Sequence, residues 1–364
     1  MVDYAAKIKD FEDNLKRTQY HKGTEHHFGV VRAQIAKLRE KIEKAGIKKG
    51  GVGFSVKRSG DATVIIIGFP SVGKSTLLNK LTGAKSKTAA YAFTTLTVIP
   101  GVLEYNGAKI QILDVPGIIS GAAMGRGRGK EVLAMVRSAD LILVTIDAHH
   151  PEHHQALLKE LYDTNVRADK RPPDIRIKRK IRGGIDIGTT VKLSKVSKET
   201  LVAILQEFHI NNADVVVRQD VDIDEFIDAV EENRKYIPSA TVVTKVDLLT
   251  EHQKQDIMRE LKPDLMVSAA TGLNIDELRE LIFNKLNFIR IFLKEVNKPA
   301  DLEEPMILVR GITIRDVCVR IHRDFVKKFR FAKLWGKSAK FPGQVFRDLE
   351  KRLEDGDIIE VHVS

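Results

Sequence analysis

Cysteine is nearly absent. Cys318 is the one thiol in 364 residues, which excludes an internal disulfide framework and the small secreted scaffolds that depend on one. Its apolar neighbours Val317 and Val319 make a buried thiol the expected state. No apolar run approaches the roughly 20 residues of a membrane helix, and the opening Met1-Val2-Asp3-Tyr4 lacks the charged-then-apolar profile of a secretory signal. A soluble, cytoplasmic chain without a membrane partner is therefore expected. Tandem repeats and low-complexity tracts are also missing. What is abundant is charge. Charged residues make up 30% of the chain, a weak fit to a thermophile, and the formal net charge is +11. Clustered Lys and Arg gain binding free energy by releasing counterions from polyanions, so structured RNA, ribosomal RNA above all, is the natural partner. Charge alone leaves a basic but otherwise ordinary protein as the alternative. The length suggests two to four domains, and the 43% hydrophobic content can fill their cores.

One stretch organises the rest. Gly68-Phe69-Pro70-Ser71-Val72-Gly73-Lys74-Ser75-Thr76 follows the β-branched run Val64 to Ile67 and leads into an amphipathic segment beginning at Leu77. It reads as strand, phosphate loop, helix. The glycines let the backbone curl so that successive N–H groups face phosphate oxygens. Lys74 then reaches the β- and γ-phosphates and the Ser75 hydroxyl holds Mg²⁺. A chance match in a glycine-containing turn is the bland alternative, and the strand and helix around the loop weigh against it.

Around that loop the pattern changes four times. Residues 1 to about 60 are charged and helical in period. Phe28, Val31, Ile35, Leu38 and Ile42 share one stripe, and an earlier helix with Ile8, Phe11 and Leu15 pairs with it across a turn near Gly23. Gly46, Gly50, Gly51 and Gly53 mark a joint. From Asp61 strands alternate with helices, the pattern of a mostly parallel sheet covered on both faces. Its strands are Val64–Ile67, Val98–Tyr105, Lys109–Leu113 and Leu141–Ile146, then Val242-Val243 and Leu265–Val267, with Asn106-Gly107 as a hairpin turn. Between about Val166 and Tyr236 an inserted subdomain interrupts this sheet. There Arg176, Lys178, Arg179, Lys180 and Arg182 alternate with Ile175, Ile177 and Ile181, as on a half-exposed strand or an RNA-contacting one. After Phe288, Met306–Val309, a helical stretch from Ile314 to Phe329, Ala332–Trp335 and Ile358–Val363 suggest a small β-grasp-like α+β domain. Arg315, Arg320, Arg323, Lys327, Lys328, Arg330, Lys333, Lys337 and Lys340 make it basic, with Phe329, Phe331, Trp335 and Phe341 interleaved. That mixture suits RNA, although the aromatics serve equally well as core.

Four further segments stand where a GTPase needs them. Asp114-Val115-Pro116-Gly117 closes a strand, so Asp114 can hold Mg²⁺ through a water and the Gly117 N–H can meet the γ-phosphate. Phe93-Thr94-Thr95-Leu96 can fold over the metal, with Thr95 the chosen hydroxyl ligand and Thr94 its close competitor. Loss of the γ-phosphate would release both segments, which is a switch. Thr244-Lys245-Val246-Asp247 supplies base recognition. The Asp247 carboxylate accepts from guanine N1–H and the 2-amino group, a donor pair that adenine lacks, and the Lys245 stem lies along the base. Ser268-Ala269-Ala270 offers a backbone N–H to guanine O6. GTP or GDP with Mg²⁺ is the expected ligand set.

The segments Gly68 to Ser75, Tyr91 to Thr97 and Asp114 to Gly117 resemble those of the Obg-related translation-factor GTPases. The glycine-rich run Gly121 to Gly129 and the basic C-terminal domain narrow the resemblance to the developmentally regulated GTP-binding protein family, in an archaeal-type form. It covers nearly the whole chain. It implies an α/β fold with a helical N-terminal region (1–60), a P-loop GTPase domain with a mostly parallel sheet (61–165 and 237–288), an inserted ribosomal S5 domain 2-like α+β subdomain (166–236) and a C-terminal β-grasp TGS domain (289–364). It further implies GTP hydrolysis to GDP and phosphate, ribosome association through the basic insert and TGS domain and, in eukaryotic members, a zinc-finger regulatory partner. A monomer is expected.

Two departures bear on chemistry. Thr244 stands where most family members carry Asn, which removes an amide that bridges the base and the phosphate loop, so weaker affinity is expected. Ile118, followed by Ile119, stands where Ras-type enzymes place a water-orienting glutamine. Slow intrinsic hydrolysis is therefore expected, with Lys74, Thr95 and Gly117 as the catalytic set and a ribosome or partner protein as accelerator. The resemblance suggests K⁺ as a further cofactor, yet Ser71 occupies the place of the Asn of potassium-activated relatives, which leaves K⁺ open. A TGS-containing ATPase and a basic RNA-binding scaffold that uses nucleotide structurally are the rival functions.

Two clusters read more simply. His149, His150, His153 and His154 flank Pro151, and i,i+4 histidines can chelate a metal. Without cysteine ligands, at a helix start, a solvated turn is favoured. Asp220, Asp222, Asp224 and Glu225 lack the glycine and distal glutamate of a calcium loop and read as an acidic helix cap.

Overall fold

A computed structural model describes residues 4–45, 60–82, 89–90, 97–115 and 135–364. The expected joint glycines 46 to 53, the 91–96 segment with Phe93, Thr94 and Thr95, and the 116–130 region with Gly117, Ile118, Ile119 and the run Gly121 to Gly129 lie outside the described residues. The chain forms two compact units.

The larger unit contains a seven-stranded sheet. Its order is Leu265–Met266, Ser239–Thr244, Leu141–Asp147, Ala62–Ile67, Ala108–Asp114, Thr97–Tyr105, Ala89–Ala90. The first five strands are mutually parallel, Thr97–Tyr105 runs antiparallel to Ala108–Asp114, and Ala89–Ala90 runs antiparallel to Thr97–Tyr105. Every residue of Ala62–Ile67 is buried, as a β-branched run covered on both faces should be. Asn106 and Gly107 both take positive φ, 51° and 80°, the twist a two-residue hairpin needs. Leu77, Leu78 and Leu81 of helix Lys74–Thr82 share one core with Leu278, Ile282 and Phe283 of helix Ile275–Lys285. Ala62–Ile67 has Ala108–Asp114 on one side and Leu141–Asp147 on the other. Its carboxyl end is therefore a topological switch point, where open α/β sheets bind ligands.

The same unit carries the C-terminal five-stranded sheet, ordered Met306–Val309, Phe288–Leu293, Asp357–Val363, Phe329–Trp335, Gln344–Phe346, with its own core. The continuous helix expected from Ile314 to Phe329 is broken into Ile314–Ile321 and Arg323–Lys328. His322 is extended at φ −164° and ψ 137°, and its Nδ1 accepts from the Asp324 N–H as a cap of the second helix. Cys318 is fully buried, and burial pushes its thiol up to about 11. Of the interleaved aromatics only Phe341, 60% exposed, faces solvent broadly. Phe331 stacks on His362 at 4.2 Å and Trp335 lies under the Lys294 ammonium at 5.2 Å.

The smaller unit joins sequence-distant parts. Phe28, Ala33 and Ala36 of helix Glu25–Ala45 share a core with Leu201, Ile204, Leu205 and Phe226. These belong to helices Lys198–Glu207 and Ile223–Glu231, which back the sheet Ile175–Arg179, Ala213–Val217, Ile185–Thr189. A Cβ on Gly29 would lie 2.6 Å from Thr200 Cγ2, so glycine permits the close crossing. Polar clamps fix it: Glu25 accepts from Ser197 N–H at 2.7 Å and Thr200 Oγ1 at 2.9 Å, and Arg32 pairs with Asp224 at 2.7 Å. The acidic group divides its work. Asp222 caps helix Ile223–Glu231 in a reciprocal box with Glu225, and Asp220 accepts from Ser194 and Lys195 N–H groups. Arg176, Lys178, Arg179 and Arg182 are exposed. Ile181, expected to alternate along that strand, lies beyond its end and is 98% exposed.

Deeper in this unit, Asp228 accepts from Arg167 at 2.5 and 2.8 Å and from Arg234 at 2.6 Å, all three side chains being under one-tenth exposed. Asp228→Ala removes the carboxylate shared by two buried guanidiniums and is expected to destabilise the protein by about 3–5 kcal/mol; a urea midpoint within error of wild type would refute this. Glu360 offers a second test. Burial alone would raise its pKa, but bonds from Lys294, His362 and Lys333 outweigh that and lower it from 4.5 to about 2. Stability from this group is thus complete above 4.5 and lost as pH falls toward about 2. Glu360→Gln should flatten the acid unfolding slope in that window, read by the fluorescence of Trp335.

Candidate nucleotide site

The loop after Ala62–Ile67 is shaped by close approach. A Cβ on Gly68 would sit 2.3 Å from Thr145 Oγ1 and 2.6 Å from the Thr145 carbonyl, so no other residue fits. Thr145 Oγ1 itself donates to the Ile67 carbonyl at 2.7 Å. Ser71 at φ 64° and Gly73 at φ 96° supply two left-handed turns that curl the loop. Pro70 and Ser71 are exposed, Val72 is buried, and Lys74 opens the helix, followed by exposed Ser75 and Thr76. Lys74 Nζ donates to the carbonyls of Gly68 at 3.0 Å and Phe69 at 2.9 Å, which holds it across the loop. Burial lowers its pKa and the nearby Asp114 charge opposes that shift.

Asp114 ends its strand beside this helix. Ser75 Oγ donates to Asp114 Oδ2 at 2.6 Å, while Asp114 Oδ1 is buried and finds no hydrogen-bond partner among the described residues. A hydroxyl paired with a carboxylate that has an unsatisfied oxygen suits a hard divalent cation, so the residues fit Mg²⁺.

The base side lies at the ends of the next two strands. Thr244 Oγ1 is buried 2.7 Å from the Val72 carbonyl and 3.1 Å from that of Ile146. The asparagine amide expected to bridge base and loop is absent, but the threonine hydroxyl keeps a bond on the loop side. Its short side chain reaches because Val72 is itself drawn inward. Lys245, left-handed at φ 60°, pairs with Asp147 at 2.7 Å. Burial pushes the Asp147 carboxyl up, but the bonds from Lys245 and from His149 N–H prevail and hold it below its usual range. Asp247 is exposed at the short turn Val246–Leu248. Val246 N–H reaches the Val267 carbonyl at 3.4 Å, bringing this turn beside Ser268, Ala269 and Ala270. Ser268 is fully buried and its Oγ accepts from Thr271 N–H at 3.2 Å, while Ala270 is exposed.

The structure thus brings together Gly68 to Thr76, Asp114, Thr244 to Asp247 and Ser268 to Ala270 at the carboxyl ends of neighbouring parallel strands. Sequence reasoning missed Asp147, though a carboxylate ending the apolar run Leu141 to Ile146 was a visible signal. It also missed the stacking of Phe69 on His153, centroids 3.8 Å apart and planes at 12°.

This arrangement defines a P-loop GTP-binding domain. Residues 63–179 match the family described as "50S ribosome-binding GTPase", 182–288 the "C-terminal region of MMR_HSR1 domain", and 289–363 the "TGS domain". A GTP-binding protein of Methanocaldococcus jannaschii is 53% identical over 361 residues, covering 98% of this chain and 92% of that one. Developmentally-regulated G-protein 3 of Arabidopsis thaliana is 42% identical over 98% of this chain and 97% of its own. Ribosome-interacting GTPase 1 of Saccharomyces cerevisiae is 41% identical over 98% of both. Among solved structures, the Schizosaccharomyces pombe YchF GTPase aligns with a TM-score of 0.45 and 14% identity over 84% of this chain and 99% of that chain. The chain belongs to the developmentally regulated GTP-binding protein family.

Thr244→Ala should weaken GDP affinity about fivefold, the factor that corresponds to one buried hydrogen bond of about 1 kcal/mol, whereas Thr244→Asn should not. Titration with a fluorescent GDP analogue reads both; equal affinity for Thr244→Ala and wild type would show that the bridge does not support the loop.

Proposed function

We propose that this protein is a GTP-hydrolysing switch that acts on the ribosome. The observation that carries the reading is the convergence of Lys74, the Ser75–Asp114 pair and the Thr244–Asp247 turn at one switch point. Lys74 would move from the loop carbonyls to the β- and γ-phosphates, whose charge it offsets. Ser75 and Asp114 would hold Mg²⁺, directly and through water, and the ion when bound neutralises charge developing on the transferred phosphoryl group. Asp247 selects guanine over adenine. In this proposal Thr95, with Thr94 as competitor, and Gly117 close over the γ-phosphate, and Phe93 shapes the same segment. Without a glutamine after Gly117, hydrolysis is slow until a ribosome or partner completes the site, and K⁺ is the candidate monovalent cofactor.

The same proposal includes the division into a helical region at 1–60, the GTPase domain at 61–165 and 237–288, an S5 domain 2-like insert at 166–236 and the TGS domain at 289–364. Ribosome contact is assigned to the basic surfaces. Exposed Arg176, Lys178, Arg179 and Arg182 on the insert, and exposed Arg320, Arg323, Lys327, Lys328 and Arg330 on the C-terminal domain, support it, as does the name of the yeast relative. A cytoplasmic monomer follows from the same reading; no helix among the described residues is long and apolar enough to cross a membrane.

GTP turnover should be slow alone and faster with ribosomes, and comparing K⁺ with Na⁺ decides whether a monovalent cation takes part. Lys74→Ala should lower it by about a hundredfold or more, the loss typical when one charge-stabilising donor is removed. Turnover that is fast and indifferent to ribosomes and cation would overturn the switch mechanism. If ATP displaces labelled GDP as well as GTP does, the related ATPase reading replaces this one. Unimpaired cellular function of Lys74→Ala would favour the scaffold.

A further inference from the structure

The turn between strand Leu141–Asp147 and helix His153–Asp163 holds a group that nucleotide chemistry does not use. Two successive backbone turns, His150 N–H to the Asp147 carbonyl at 2.9 Å and His153 N–H to the His150 carbonyl at 3.2 Å, fold the segment back on itself. They bring one ligand atom each of His150, Glu152 and His153 to within 4.8 Å of one another. The i,i+4 pairs suggested by sequence are not the ones selected. His154 instead lies against Thr241 Oγ1, its Nε2 3.2 Å away, and His150 pairs with His153 across three residues, their rings stacked at 5.0 Å. His150 Nδ1 and Glu152 Oε1 are 3.0 Å apart. His153 Nδ1 is buried and makes no hydrogen bond among the described residues, although a buried imidazole nitrogen ordinarily has a partner.

From these positions we infer that His150, Glu152 and His153 form a site for one borderline divalent transition-metal ion of the zinc, cobalt or nickel class. Two imidazoles and one carboxylate are a donor set for such ions and a poor one for Mg²⁺ or Ca²⁺, which prefer all-oxygen shells. Tetrahedral bonds of about 2.0–2.1 Å place ligand atoms about 3.3 Å apart. The His150–Glu152 pair already has that spacing, and rotation of the exposed His150 and Glu152 side chains, which unstacks His150 from the half-buried His153, closes the remaining gap. The helix start opposes a cation, and the Glu152 carboxylate compensates. Three protein ligands leave a fourth position for water. The site abuts the phosphate loop, because His153 stacks on Phe69.

The full chain, stripped with a chelator and then saturated with GDP and Mg²⁺, is titrated with Zn²⁺ by calorimetry and with Co²⁺ by visible absorption. Excess Mg²⁺ keeps the Ser75–Asp114 site occupied. One ion per chain is expected, with affinity falling roughly tenfold or more in His150→Ala and in Glu152→Gln, a loss at least as large as those seen for ligand-supporting residues. His149→Ala should not change it. GDP affinity measured without transition metal should be the same in wild type and both ligand variants, which separates lost metal binding from a damaged fold or a failed nucleotide reading. The inference is overturned if wild type binds no tighter than the ligand variants, or if His149→Ala weakens binding as much as they do. The first result would make His150 and Glu152 a surface ion pair; the second would make the turn a diffuse chelator.

Discussion

The nucleotide site depends on the contact between Gly68 and Thr145. A strand buried on both faces must deliver the chain to a loop that faces solvent, and the neighbouring strand leaves no room for a side chain at the crossing. Thr145 also ties the Ile67 carbonyl, so the last peptide of the strand is fixed before the loop starts. The left-handed turns at Ser71 and Gly73 then act on a fixed base. A loop that presents several N–H groups to one anion loses its advantage if its origin wanders by an ångström, since preorganisation is what makes such a cradle bind. Core packing of Ala62–Ile67 is thus felt directly as phosphate-site geometry.

The same logic runs outward through backbone carbonyls. Val72 is pulled inward and offers its carbonyl to Thr244, and Thr244 belongs to the strand paired with Leu141–Asp147. Asp147, at the end of that strand, holds Lys245. Phosphate and base halves are therefore connected by one short buried contact, Thr244 to Val72, in a place where a hydrogen bond is electrostatically stronger and its loss more costly.

How much of this the sequence discloses depends on the range of the interaction. The phosphate loop, the strands and the Asn106-Gly107 turn are local, and residue types alone identify them. The stripe Phe28, Val31, Ile35 was legible as a buried helical face, but not that Phe28 shares a core with Leu201, Ile204 and Phe226, because these lie far along the chain and no local periodicity links them. The break at His322 was hidden for a different reason: the apolar spacing continues through it, while one extended residue resets the helix direction. Thr244 was readable as a departure from Asn, but not that its hydroxyl still bonds the phosphate loop, because reach depends on where the Val72 carbonyl sits, a tertiary fact. The His150, Glu152, His153 grouping likewise depends on backbone turns that the i,i+4 rule does not describe.

Lys74 shows how these constraints meet. A half-buried ammonium is costly unless its charge is answered, and here two loop carbonyls and the Asp114 carboxylate answer it. Burial still lowers its pKa, so the balance is incomplete. In the proposed mechanism triphosphate oxygens, which carry full negative charge where the carbonyls carry partial charge, would compete for the same ammonium. The exchange needs no large rearrangement, since the lysine already spans the loop's concave side. A group held near its working position by weaker acceptors surrenders little conformational freedom on binding, and the gain in charge pairing then goes into affinity rather than into ordering the chain. Asp114 gains as well, because a cation shared with Ser75 would satisfy the buried oxygen that the described residues leave without a donor. In the proposed mechanism nucleotide and metal would complete, at adjacent atoms, two charge balances that the fold by itself leaves unfinished.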